Sequence, residues 1–337
     1  MVSIRCMTYN HAHYITDAMD GFCMQQTTFP YVAIIVDDAS TDGEPEVIRN
    51  YLSEHFDLDE DGIARQWETD DAHFIYARHK ENQNCYFAVI LLKYNFWQAK
   101  KAKAPLMKKW ADAKYIAMCE GDDYWISSDK LQKQVSFLEK NKEFVMCGHD
   151  YKIFFEHTHT FFKETAYQKL EHLPFTYDLD NFFKGDYTQP LTCMYRNHDR
   201  SLSIPFGYKY YRDRVFFYYV LKEGKGCILP EIMGVYRKHS GGILSGKSAS
   251  ENYHIYMSIA VQIYNKEGDG RALVLFKRHA LGYLSHLWMT EEKKQIPKNV
   301  VQMAHMAPLS TTTEVVGSFL FSLLSGKMHQ LYHQIKF

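Results

Sequence analysis

Apolar and polar positions come in short blocks along the first part of the chain, and the blocks predict strand and helix in turn. Val2 to Met7 is a brief apolar run, after which Tyr14, Ile15, Ala18, Met19 and Phe22 recur at the spacing of one helix face. Tyr31-Val-Ala-Ile-Ile-Val36 is apolar throughout, as in a strand buried on both faces. Thr41 with Glu44 three residues on has the form of a capping box, opening a helix that carries Val47, Ile48, Tyr51 and Leu52. The acidic stretch from Asp57 to Asp71 reads as an exposed insertion. His73 to Ala77 predicts a further strand, and Phe87, Ile90, Leu91 and Tyr94 a further helix face. Tyr115 to Cys119 then predicts a strand, with Leu131, Val135 and Leu138 marking the helix after it.

This alternation implies an α/β fold, Rossmann-like, with a mostly parallel central sheet flanked by helices. In such sheets ligands collect outside the carboxyl ends of the strands. Thr8-Tyr9-Asn10, Asp37-Asp38 and Glu120-Gly-Asp-Asp123 all follow predicted strands, so the three polar clusters are expected in one crevice. Glu120, Asp122 and Asp123 would repel one another unless a proton or a hard cation offsets their charge. Mg²⁺ and Mn²⁺ take carboxylate and phosphate oxygens together, and a metal there can neutralise a departing diphosphate. A solvated acidic turn is the competing reading.

Other chemistries are excluded or weakened. No GxGxxG follows the first strand, which rules out a dinucleotide fold. Gly241-Gly-Ile-Leu-Ser-Gly-Lys-Ser248 formally matches a phosphate-binding loop, but no later apolar strand ends in an Asp to hold Mg²⁺. A net charge of −1 gives no basic surface for nucleic acid. Seven cysteines, scattered and with no CxxC pair, fit a reduced, cytoplasmic protein without structural zinc. The N-terminus lacks the pattern of a signal peptide, and no apolar run is long enough to span a bilayer.

The order Thr8-Tyr9-Asn10, Val36-Asp-Asp-Ala-Ser-Thr-Asp-Gly43, Cys119-Glu-Gly-Asp-Asp-Tyr-Trp125 and Tyr236-Arg-Lys-His-Ser-Gly-Gly242 resembles family 2 glycosyltransferases with the GT-A fold. The resemblance covers Met1 to Gly242. It implies a catalytic domain over 1–245, with a nucleotide-sugar half to about residue 125 and an acceptor half from 126, then a helical C-terminal extension over 246–337. It further implies inverting, metal-assisted transfer of a sugar from a nucleoside diphosphate donor, UDP by preference, to an acceptor hydroxyl of a glycan or lipid-linked glycan. Hexosyl or N-acetylhexosaminyl transfer in polysaccharide biosynthesis is the expected class.

By resemblance, Asp38 accepts a hydrogen bond from the nucleotide base, and Thr8, Tyr9 and Asn10 shape its pocket. Asp122 and Asp123 stand for the metal-binding motif, Asp122 also facing the donor, and His239 is a further metal or diphosphate contact. The same segment makes Gly241 and Gly242 part of a loop over the phosphates. Asp37 ends a strand and is a candidate for a ribose contact. Arg78, Asn82 and Asn84 are candidates for reaching the nucleotide, although loop residues of these types often only satisfy backbone groups.

Inversion by direct displacement needs a base opposite the departing diphosphate. Asp213, within Tyr210 to Val220 where it would open an apolar helix, is the candidate, and the family carries its base at a comparable position. Its neighbours Arg212 and Arg214 offer the alternative of a structural ion pair. Trp125, Thr188 and Tyr211 are candidates for the acceptor side, Trp125 against the alternative of a core residue. The pairs His11/His13 and His157/His159 lack a third ligand at a meaningful spacing and read as ordinary.

Beyond Gly246 the chain turns helical, with Ile255, Ile259 and Ile263 and then Ala272, Leu275 and Phe276 on helix faces. Val315 to Leu324 predicts either a helix docked on the rest of the protein or a peripheral contact with the inner face of a membrane. Two other functions remain open: a sugar-phosphate nucleotidyltransferase, and a non-catalytic nucleotide-sugar-binding module.

Overall fold

The computed structural model describes residues 2–59, 61–170, 172–185, 187–197, 208, 213–242, 247–290 and 292–330. β1 (Val2–Thr8), α1 (Ile15–Cys23), β2 (Tyr31–Asp37) and α2 (Glu44–His55) follow the predicted order. The acidic stretch expected to be an insertion holds β3 (Phe56–Asp57) and β4 (Arg65–Glu68), both paired antiparallel to β5 (Ala72–His79). Next comes β6 (Cys85–Leu92), where the periodicity predicted a helix.

That correction has a simple cause. Cys85, Phe87, Val89 and Leu91 enter one hydrophobic cluster, while Ala88, Ile90 and Leu92 enter another on the opposite side of the sheet. A wholly apolar run satisfies a helical spacing by accident, and two-sided burial makes it a strand. β2 divides in the same way, with Tyr31, Ala33 and Ile35 on one side and Val32, Ile34 and Val36 on the other.

After α3 (Ala104–Ala111), which the periodicity did not reveal, come β7 (Tyr115–Met118), β8 (Tyr124–Trp125), α4 (Lys130–Lys140) and β9 (Phe144–Phe155). β10 (Thr160–Phe161), β11 (Phe175–Tyr177), the short α5 (Leu179–Phe182), β12 (Met194–Arg196), α6 (Asp213–Leu221) and β13 (Lys225–Lys238) complete this part. Among the described residues the strands form one sheet in the order β11-β13-β9-β12-β7-β1-β2-β6-β5-β3. β7, β1, β2 and β6 are parallel, as expected, whereas β5 and β12 flank them antiparallel.

The sheet and its covering helices make one compact unit. A second unit gathers α5, most of α6 and the chain from His239 on, with α7 (Ala249–Glu267), α8 (Ala272–Met289), α9 (Ile296–Met306) and α10 (Leu309–Leu324). The helices expected after Gly246 are therefore present, joined by two segments from earlier in the chain. Ser248 opens α7 with a capping box: its Oγ accepts from Glu251 N–H at 3.2 Å, and Glu251 Oε2 accepts from Ser248 N–H at 2.9 Å. The last residue of the apparent phosphate loop thus serves a helix start. No described helix is long and apolar enough to cross a membrane.

Candidate functional site

Parallel pairing of β1 with β2 and with β7 brings three strand ends to the same edge. Thr8 lies opposite Asp37 in the register, and Asp38 N–H donates to Thr8 O at 3.0 Å. Gly121 N–H donates to Met7 O at 3.1 Å, which seats the acidic turn against the end of β1. A Cβ on Gly121 would fall 2.2 Å from Thr8 Oγ1, so this approach admits only glycine.

The loops after β1 and β2 are stitched together by side chains. Asn10 N–H donates to Ser40 Oγ and Thr41 N–H to Asn10 Oδ1, each at 2.8 Å. Ala12 N–H reaches Asp42 Oδ2 at 2.9 Å. Asn10 (φ 58°) and Ala39 (φ 59°) both hold left-handed backbone, a cost that surrounding bonds must sustain. Glu44 does not complete the predicted capping box with Thr41; α2 starts after Gly43, at φ 91°, without a side-chain cap. Its carboxylate instead accepts from Thr8 Oγ1, from His11 N–H at 2.9 Å and from Ser40 Oγ at 2.9 Å. Burial pushes the Glu44 carboxyl up to about 7, against the lowering effect of Thr8 and the His11 backbone.

Asp37 and Asp38 have different surroundings. Asp37 is wholly buried, and Ser40 N–H donates to its Oδ2 at 3.2 Å while its Oδ1 has no protein partner. Burial raises its pKa. Asp38 is buried too, but Phe96 N–H donates to its Oδ1 at 2.8 Å and Lys103 Nζ lies 2.8 Å from its Oδ2. Lys103, eleven residues past the end of β6 and invisible to motif reading, is therefore part of this corner.

The acidic turn has a second support. Asp123 is buried, and its Oδ1 accepts from Arg237 N–H at 2.9 Å. Arg237 Nη1 donates to Asp122 O at 2.8 Å, its guanidinium lies 4.7 Å from the Tyr14 ring centroid and 4.9 Å from that of Tyr124, and it pairs with Asp17 and Glu156. The side chains of Glu120, Asp122 and Asp123 each offer an oxygen within 4.8 Å of the others. Burial, then the neighbouring Asp122, drives the Asp123 pKa well above its ordinary value. His11 Nε2 lies 3.8 Å from Asp122 Oδ2. An all-oxygen set at close range, with one member costly to ionise alone, fits a hard divalent cation such as Mg²⁺ or Mn²⁺.

Thr8, Tyr9, Asn10, Asp37, Asp38, Asp122 and Asp123 thus share one edge. Arg78 and Asn82 do not. Because β5 runs antiparallel to β6, Arg78 pairs with Tyr86 near the start of β6. Asn82 Nδ2 donates to Cys23 O at 2.9 Å, Gln25 O at 2.8 Å and Tyr31 Oη at 3.0 Å. Asn84 is likewise placed there, its carbonyl accepting from Tyr31 N–H at 2.8 Å. These residues sit at the beginning of β2, about 20 Å along the strand from Asp37 at ~3.3 Å per residue. They brace a turn, away from the crevice.

Trp125 is a core residue, 2% exposed, with Nε1 donating to Leu191 O at 2.8 Å and the Phe22 ring 5.0 Å away edge-on. Lys130 Nζ lies over its face at 3.9 Å from the centroid. No face remains for a sugar. Thr188 is half-buried just before the 3₁₀ turn Pro190–Thr192. Tyr211 and Arg212 lie outside the described residues.

In the second unit, Asp213 is the exposed first residue of α6, its Oδ1 accepting from Arg214 N–H at 2.9 Å. The Arg214 guanidinium donates to Gly185 O and lies 5.0 Å over the Phe182 ring. His239 follows directly on β13 and begins a turn closed by Gly242 N–H donating to His239 O at 3.3 Å.

The profile of the family described as Glycosyl transferase family 2 matches residues 3–91, which hold β1, β2 and the Asp37-Asp38 corner. An uncharacterized protein of Mycobacterium tuberculosis is 30% identical over 250 residues, 72% of this chain and 60% of that protein. The chain therefore spans about three fifths of the length of the mycobacterial relatives it matches. TuaG of Bacillus subtilis, named for a teichuronic acid biosynthesis glycosyltransferase, is 25% identical over 77% of this chain and 88% of its own. Among solved structures, S. aureus TarS 1–349 superposes with a TM-score of 0.58 at 15% identity, over 99% of this chain and 90% of that one. TarS in complex with UDP gives 0.52 at 14% identity, over 99% and 90% of the two chains. The mannosyltransferase PcManGT from Pyrobaculum calidifontis, in complex with GDP-Man and Mn²⁺, gives 0.51 at 12%, over 98% and 84%.

Proposed function

We propose that this chain, which belongs to the family 2 glycosyltransferases and has the GT-A fold, moves a sugar from a nucleoside diphosphate donor to an acceptor hydroxyl with inversion. The observation that carries the proposal is the buried Asp123 beside Asp122 and Glu120, at the strand edge that also bears Asp37 and Asp38. Such an edge is where an α/β sheet takes its ligand, and uncompensated buried acids mark a place where charge is meant to arrive.

Asp122 and Asp123 would hold the divalent cation, with His239 as a further ligand, and the bound metal would neutralise charge developing on the departing diphosphate. Arg237 fixes the turn by its backbone N–H and guanidinium, so both aspartates are positioned before the donor arrives. Thr8, Tyr9 and Asn10 border the donor pocket, and Asp37 meets the ribose. Lys103 neutralises Asp38, so the base meets an ion pair there, with Asp38 supplying the acceptor and Lys103 a donor beside it. Asp213 takes the proton from the acceptor hydroxyl as the new bond forms. A carboxylate in the first turn of a helix sits favourably with the helix dipole, which suits a base that must stay ionised between turnovers.

UDP is the favoured nucleotide and a hexose or N-acetylhexosamine the favoured sugar. A glycan or lipid-linked glycan, within polysaccharide synthesis, is the favoured acceptor; the name of TuaG supports that class. The test is a panel of nucleotide sugars incubated with Mn²⁺ or Mg²⁺, reading released nucleoside diphosphate. One donor should turn over and stop with EDTA. Release of pyrophosphate from a nucleoside triphosphate and a sugar phosphate, or donor binding without turnover for every donor and acceptor pair tried, would overturn the proposal.

A further inference from the structure

The last two helices of the second unit have a face that nothing described covers. α10 packs on α8 and α9 through Val315 and Phe319, which are buried. On its other side Leu309 is 71% exposed, Leu320 48%, Phe321 68% and Leu324 87%. Leu309, Leu320 and Leu324 fall at spacings of eleven and four, one stripe of a helix, with Phe321 beside it. A soluble surface tolerates single apolar residues; four large ones in a stripe are an exposed patch with a purpose.

The charged residues of this end of the chain are mainly basic: after Glu291 and Glu292, lysines prevail. From Lys293 to Gln330 the sequence holds Lys293, Lys294, Lys298 and Lys327 against a single acid, Glu314. That acid is already paired with Lys277 of α8. The segment is thus net positive in a chain whose total is −1. Lys298 and the exposed Val301 and His305 share the outer face of α9, whose other side buries Asn299 and Met303. Within α10 itself the sole charged residue is Glu314, seven residues before Phe321 and held by Lys277 of α8, while Leu309, Leu320 and Leu324 carry no charge between them.

We propose that α9 and α10 form a lipid-docking surface: the Leu309, Leu320, Phe321 and Leu324 stripe enters the interface of a bilayer while Lys293, Lys294, Lys298 and Lys327 meet anionic headgroups. The occupant is an anionic membrane face, because an exposed apolar stripe in a segment with an excess of lysines matches acyl chains under phosphate. The surface lies wholly within the helical unit and is inferred without reference to the transfer reaction, so the two can fail separately. It lies flat on the membrane and does not span it.

Flotation of the full chain on vesicles tests this. With phosphatidylglycerol at about a third of a phosphatidylcholine vesicle, the protein should float at low salt and dissociate at high salt; on pure phosphatidylcholine it should float poorly. Replacing Leu320→Ser, Phe321→Ser and Leu324→Ser together removes exposed side chains only, so the fold persists, and the partition coefficient should drop by roughly a hundredfold. Replacing Lys293→Glu, Lys294→Glu and Lys298→Glu should abolish the preference for phosphatidylglycerol, since each cation near an anionic surface contributes roughly fivefold. Protein that stays at the bottom of the gradient with both vesicles overturns the proposal. So does a serine variant that floats as well as the native chain. A native dimer that becomes monomeric in the serine variant, with neither floating, assigns the stripe to a second copy and overturns it equally.

Discussion

The two ends of β2 are both polar, and they behave oppositely. At its start, Asn82 spends its amide on Cys23, Gln25 and Tyr31, neutral partners that match it bond for bond. At its end, Asp37 has an oxygen without a protein partner, Glu44 is pushed up to about 7, and Asp123 is driven well above its ordinary value by burial beside Asp122. A polar group buried for structure is satisfied within the protein. One buried for function is left short of a partner, and the shortfall shows as a displaced pKa. The first end holds the fold together, while the second is where a cation and a donor are proposed to bind.

The strongest test of this contrast is Asp123→Asn. Its oxygen still accepts from Arg237 N–H, so melting should shift little, whereas transfer should fall by about 10³-fold or more as the metal site is lost. Asp213→Asn should cost roughly 10²–10³-fold in kcat with donor affinity unchanged, measured by nucleotide titration. Loss of donor binding in that variant would reassign Asp213 to a structural role.

Glu44 sharpens the contrast through pH. Its folded carboxyl titrates at about 7 and its ordinary value is 4.5, so between these the folded chain holds a proton that the unfolded chain releases. Stability from this group is complete below 4.5 and is lost as pH rises through 7. Glu44→Gln keeps an acceptor for His11 and Ser40 but cannot ionise. Denaturant midpoints of variant and native protein should agree in acid and separate above neutrality, the variant gaining up to about 3 kcal/mol. Parallel curves would show that Glu44 is not strained.

Asn82→Ala should give the smallest effect on activity and a clear one on stability. It removes donors to two carbonyls and Tyr31, a loss of about 1–3 kcal/mol in urea unfolding, with kcat and donor KM unchanged. A rise in donor KM without loss of stability would move the nucleotide toward the start of β2 and break the comparison.

The sequence alone determined a great deal here, because its signals are local. Apolar runs ending in Asp37-Asp38 and Glu120 to Asp123 fix strand ends, parallel strands put such ends on one edge, and spaced motifs carry the family. Helical periodicity placed α1, α2, α4, α7 and α8. What it could not fix depends on which way a neighbour runs and which faces are covered. β6 passed for a helix because an all-apolar run fits both periods, and only burial by two cores makes it a strand. Arg78 and Asn82 passed for ligand residues because they follow a strand, and the antiparallel course of β5 alone sends that end away from the crevice. Trp125 looked available until Phe22, Leu191 and Lys130 closed around it. Lys103 and Arg237 reach their aspartates across 65 and 114 residues of chain, contacts that no local pattern records and that tertiary packing alone creates.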